Sequence, residues 1–184
     1  MKESIKNYSI NFLKEIIPVI VGILIALFID NWNESRKEEK YIEQVFSIID
    51  SELKGTNEEI KEIIPLQNSL IDSLEFYADN KNVNILDIVK KSKGIQIPKI
   101  RINAWKSVSN TKIDLVNYKK ITSLSDIESL KEILEDKTAY LLTYLYSNLY
   151  ETEKSKKETL KMLVTDIIQT EKTTQQLIEN IENK

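Results

Sequence analysis

IEQVFSIIDSELKGTNEEIKEIIPLQNSLIDSLEFY, residues 42–77, is the stretch that decides the fold. Its apolar side chains recur at alternating spacings of four and three: Ile42, Phe46, Ile49, Leu53, Thr56, Ile60, Ile63, Gln67, Leu70, Leu74 and Tyr77. Only Thr56 and Gln67 interrupt the series with polar groups. A 4-3 repeat draws one apolar stripe along one face of an α-helix, as in a coiled-coil seam. Gly55 and Pro65 fall off the stripe, and Pro65 removes one backbone bond, so a kink is expected there.

A stripe of this length needs a partner, and the C-terminal third offers one. Ser125 and Glu128 have capping-box spacing just ahead of Ile127 and Leu130, which predicts a helix start. No Gly or Pro occurs after Pro98. Ile127, Leu130, Leu134, Leu141, Leu145 and Leu149 form one apolar run. Leu160, Leu163, Ile167, Thr170, Thr174, Leu177 and Ile181 form another, out of heptad phase with the first. A stutter or a turn is therefore expected in the polar stretch 151–158. Between the long helices, residues 79–124 read as a small mixed cap. It holds short helices at 85–91 and 104–109 and an extended, edge-like segment at 95–102 around Pro98.

Upstream of the seam, residues 16–29 carry no polar side chain. With Phe12 and Leu13 before them and Trp32 after them, residues 12–32 span about 30 Å as a helix, the hydrocarbon thickness of a bilayer. Trp32 suits one membrane interface, and Lys14 can snorkel to the other. A buried core helix also fits such a run. A cleaved signal fits less well, because no A-x-A-like site follows. Pro18 lies near the expected helix start, where its missing N–H costs little. Gly22 and Ala26, four apart, make a small-xxx-small face on which two such helices could associate. Lys2, Lys6 and Lys14 upstream balance Arg36, Lys37 and Lys40 downstream, so flanking charge does not set orientation. The short N-terminal segment resembles a signal anchor, which points to an extracytoplasmic domain.

The organisation expected is thus a tail at 1–11, a transmembrane helix at 12–32, a first long helix at 33–78, a cap at 79–124 and a second long helix at 125–184. The fold class is all-α: a single membrane helix continuing into a long antiparallel helical hairpin or coiled coil. In that arrangement Phe46 lies beside the last turns, around Leu177. The rival is a parallel dimer in which the 42–77 seam meets its own copy.

Composition narrows the function. The chain has 184 residues, 26 Lys+Arg against 29 Asp+Glu, and no His or Cys. Thiol catalysis, disulfides, His-centred acid–base chemistry and the usual zinc sites are excluded. No basic stripe marks a nucleic-acid surface. Ser109 and Lys112 have S-x-x-K spacing, but an acyltransferase needs a glycine-supported oxyanion site and the chain has three glycines in total. Glu58 and Glu62 form an i, i+4 carboxylate pair without a second pair or a His, which reads as a solvated face. Tyr140, Tyr144, Tyr146 and Tyr150 cluster on the second long helix, as packing residues or as a protein-binding surface. Trp105 is the expected packing anchor of the cap, with ligand stacking as the alternative.

Two segments carry a resemblance. VIVGILIALFIDNWNESRK, residues 19–37, and AWKSVSNTKIDL, residues 104–115, resemble the two recurring segments of a bacterial family of unknown function. Its members have one N-terminal membrane helix and a long helical domain. Asp30 stands where Asn is expected and Asn110 where Gly is expected. The resemblance implies a bacterial membrane protein and supplies no activity, substrate or cofactor. The reading is a non-enzymatic, single-pass module of the bacterial inner membrane, without cofactor or nucleic-acid partner, that scaffolds or binds envelope proteins or a second copy of itself. The alternative is a sensory stalk whose cap binds a ligand around Trp105.

Overall fold

A computed structural model describes the backbone of residues 2–182 and the side chains of residues 14–181. The protein is all-α. Its helices are α1 (Lys2–Phe76), α2 (Ile85–Lys91), α3 (Asn103–Ser109), α4 (Tyr118–Ser147) and α5 (Lys154–Glu182), with a short 3-10 turn at Ile113–Leu115. No strand occurs among the described residues. The chain divides into two compact units, residues 1–44 and residues 45–184.

Several expected boundaries move. The tail expected at 1–11 is helical from Lys2, so Pro18 lies well inside α1 rather than near its start. α1 also continues through Pro65 without interruption. Within the region expected as the second long helix, 125–184, the chain forms α4 and α5, and of the two alternatives near 151–158 it is a turn, at 148–153, that separates them. The Ser125–Glu128 capping box caps nothing. α4 starts two turns earlier, where the Asn117 side chain accepts from the Lys119 N–H at 2.9 Å. Glu128 lies inside α4 and accepts from the Trp105 indole instead.

In the second unit the 4-3 stripe of α1 is the buried face. Ile49, Leu53, Thr56, Ile60, Ile63, Gln67, Leu70 and Leu74 are all buried. The covering face of α5 is Lys157, Leu160, Val164, Ile167, Glu171, Thr174 and Ile178, again at alternating spacings of three and four. The two helices run antiparallel: Lys161 pairs with Glu75, Gln67 with Glu171, Asn57 with Gln175 and Lys61 with Glu179. Phe46 lines a cavity with Asn180 and Ile181, one turn beyond the expected Leu177. α4 packs antiparallel on α5, tied by Lys137 to Asp166 at 2.8 Å and by the Tyr144 hydroxyl donating to the Lys156 carbonyl at 3.0 Å.

The cap region contains no β-ladder. Pro98, Ile100 and Ile102 alternate inward as expected. However, the N–H groups of Lys99, Arg101 and Ala104 donate to Glu59 Oε1, Thr56 Oγ1 and Glu52 Oε2 at 3.1, 2.9 and 3.0 Å. Acceptors on consecutive turns of α1 thus take the place of a neighbouring strand, which meets the backbone's demand for partners. α2 is fixed similarly. Asn84 accepts from the Asp87 N–H, and the Ile85 and Leu86 N–H groups donate to the carbonyls of Glu151 and Leu149 in the α4–α5 turn. Beyond its C-terminus Gly94 takes φ +88°, and its N–H donates to the Val89 carbonyl at 2.8 Å. That backbone conformation suits glycine.

Candidate functional site

The first candidate lies in the N-terminal unit. α1 includes a segment long and apolar enough to cross a membrane, and none of it is buried. Ile17, Val19, Ile20, Val21, Ile23, Leu24, Ile25, Leu27, Phe28 and Ile29 are all exposed, Phe28 to 72%. Soluble surfaces tolerate scattered apolar residues but rarely a continuous band of this kind. Trp32 is exposed at the downstream edge, with the Arg36 guanidinium 5.1 Å above its ring. Such a pair suits a headgroup layer, where an aromatic body and a cation are both accommodated. Lys14 is exposed at the other edge. Gly22 and Ala26 are exposed too, and a Cβ on Gly22 would meet nothing within 4 Å.

In the second unit, Trp105 is 1% exposed, and its indole N–H donates to Glu128 Oε2 at 3.1 Å. Glu128 therefore joins α4 to α3, and the Lys106 ammonium lies 3.9 Å from its other oxygen. So deeply buried a ring offers no face to a ligand. Ser109 Oγ lies 3.5 Å from the Lys106 carbonyl, and Glu58 and Glu62 are exposed. Among the described residues no three metal-binding side chains gather at one point. Of the tyrosines, Tyr140, Tyr146 and Tyr150 are exposed, whereas Tyr144 is half-buried and tied to α5.

Among the clefts on this unit two are large. One, of about 810 Å³, is lined by Phe46 and Ile181 at its accessible apolar wall and by Lys54, Lys119 and Lys120 at its rim. The Lys120 ammonium lies 4.1 Å above the Phe46 ring. The other, of about 630 Å³, runs between the 97–103 segment and α4, past Leu134 and Leu142.

Three buried polar side chains were not singled out as functional by their sequence pattern. Lys157 is fully buried, and its ammonium donates to the carbonyls of Tyr77 at 2.8 Å and Asn80 at 2.7 Å. It thereby closes the C-terminus of α1, where the helix dipole favours a cation. Burial lowers its pKa from the usual lysine value, and Asp79 works in the opposite direction. Gln67 and Glu171 meet in the middle of the α1–α5 contact. Gln67 Nε2 donates both to Glu171 Oε1 at 2.7 Å and to the Gln96 carbonyl at 2.9 Å. Burial pushes the Glu171 carboxyl up to about 7, against a smaller opposing effect of the Gln67 bond. Comparison with family models, with curated proteins and with solved structures gives no match.

Proposed function

We propose that this chain is a membrane-tethered, non-enzymatic helical module that binds or scaffolds other envelope proteins. The observation that carries the reading is the exposed apolar band of α1 between Ile17 and Trp32, in a helix whose later part, from Ile49 to Leu74, buries its apolar stripe. Lipid is the solvent that covers such a band while helical hydrogen bonding satisfies the backbone. On this reading the 45–76 part of α1 and α5 form an antiparallel coiled-coil hairpin, with residues 79–124 as its cap. The domain faces outward from a bacterial inner membrane. Exposed Tyr140, Tyr146 and Tyr150 on or beside α4 supply aromatic contact area of the kind protein interfaces use. Gly22 and Ala26 give a face for a second copy.

The full chain is expected to fractionate with membranes and to resist carbonate extraction, whereas a chain starting near Glu39 is expected in the supernatant. Recovery of the full chain in the supernatant would sink the tether. For orientation, a C-terminal alkaline-phosphatase fusion is expected to be active and the matching GFP fusion dark; the reverse pair of results moves the domain to the cytoplasm. The lysine-rimmed cleft beside Phe46 favours a second reading, a ligand-binding regulatory module. That reading places the ligand away from Trp105, and shifts in the resonances of Phe46 and Ile181 on ligand addition would support it.

A further inference from the structure

Glu171 sits on α5 with no exposed surface, facing α1. Among the described residues no ion pair to Glu171 occurs, and the hydrogen bond it receives comes from Gln67. Several charged groups on the elements around it are engaged elsewhere. On α1, Lys61 pairs with Glu179 and Glu59 with Arg101 of the 95–102 segment. On α4, Lys137 bonds Asp166 and Thr170, and on α5 Lys161 pairs with Glu75.

The hydrogen-bond inventory of the pair is one proton short. Gln67 has spent both amide hydrogens, on Glu171 Oε1 and on the Gln96 carbonyl. Its own Oε1 is buried without a donor, and so is Glu171 Oε2. An ionised Glu171 leaves two acceptors sealed in an apolar seam, each at the cost of a lost hydrogen bond. A protonated Glu171 becomes a donor. Carboxyl and carboxamide are matched forks, so a hydroxyl on Oε2 donating to Gln67 Oε1 closes a two-bond ring and satisfies both atoms.

We propose that Glu171 folds as the neutral acid and that its proton locks α1 to α5 through Gln67, making this seam a proton-sensitive joint in the second unit. The inference does not depend on the membrane reading. Its sign follows from linkage. The folded carboxyl is held up at about 7 against 4.5 in an unfolded chain. The native state therefore binds the extra proton between those values. The contribution to stability is fully present at the acid end, falls as pH rises through the window and is level above it.

The test uses the full chain in detergent micelles, as wild type and as Glu171→Gln, in which an amide N–H replaces the carboxyl hydroxyl at every pH. The infrared spectrum of ¹³C-glutamate-labelled wild type minus that of the variant is expected to show a protonated-carboxyl band at pH 6, half bleached near pH 7 and gone by pH 8.5. Urea unfolding is expected to show the wild-type unfolding constant rising, relative to the variant's, roughly a hundredfold between pH 5 and 8. Should Glu171→Gln fail to fold, Glu171→Leu serves as the pH-insensitive reference. A ratio that stays constant, or a difference spectrum without the band, overturns the proposal.

Discussion

Replacing Lys157 by Met probes the end of α1 where it meets α5. The Met side chain fills the space of the lysine stem, so little cavity forms and the change is chiefly one of charge and hydrogen bonding. Lys157 gives two bonds to the carbonyls of Tyr77 and Asn80, each worth about 1.5–3 kcal/mol for a charged donor. The gross loss is then about 3–6 kcal/mol. Two offsets reduce it. The Tyr77 and Asn80 carbonyls keep bonds from the Asn80 and Val83 N–H groups, so neither is orphaned. The variant also escapes the desolvation of a buried ammonium, the same effect that lowers the lysine's pKa. A net loss of about 2 kcal/mol is expected, measurable by urea unfolding of the full chain in detergent, followed by helical circular dichroism. There is also a pH signature. Because the folded pKa is lowered, the unfolded chain holds the proton more tightly. Wild-type stability therefore gains an increment as pH rises from the lowered value toward 10.5, and the variant lacks that increment. Equal or higher stability of the Met variant would refute the reasoning, by showing that desolvation cancels both bonds.

Leu53→Asp places an unpaired carboxylate at a site 1% exposed and is expected to cost about 3–5 kcal/mol, read by the same unfolding assay; a loss under about 1 kcal/mol would remove Leu53 from the core. Trp105→Phe loses the indole bond to Glu128 and leaves a small cavity at a site 1% exposed, for an expected loss of about 2–3 kcal/mol; its fluorescence difference spectrum from wild type should be that of a buried, blue-shifted indole. Gly55→Ala gains about 0.5–1 kcal/mol of helix propensity, while its Cβ stands 3.3 Å from Arg101 Nη1, the movable end of a long side chain. A small net stabilisation is expected, and destabilisation beyond about 1 kcal/mol would show that Arg101 cannot shift.

The apolar face of α1 was legible because, from Ile49 to Leu74, it obeys one repeat with only Thr56 and Gln67 as polar members. The exposed band before it was legible from its unbroken run of apolar residues. The inner face of α5 was not. Lys157 and Glu171 occupy two of its positions, and a reading that follows apolar residues passes over both. It settles instead on Leu163, Leu177 and Ile181, which the structure leaves half-exposed. Val164 and Ile178 are the buried residues in their place. The start of α4 was misread for a related reason: capping-box spacing also occurs inside helices, and here Ser125 lies within α4 while Glu128 serves Trp105. The α4–α5 break carries no Gly or Pro, so its position depends on tertiary bonds such as that from Tyr144 to Lys156.

The Gln67–Glu171 pair also settles how far α5 can slide along α1. Two apolar stripes of matching period attract equally well when displaced by one heptad, so hydrophobic burial alone leaves several alignments close in energy. Displacement by seven residues would set Glu171 against Ile60 or Leu74, and Gln67 against Val164 or Ile178, all apolar and buried. Either slip would strand a carboxyl and a carboxamide in hydrocarbon surroundings, at a cost of several kcal/mol together. A buried polar pair in a largely apolar interface thus acts as an index pin, giving up some adhesion to select one alignment from a ladder of near-equivalents.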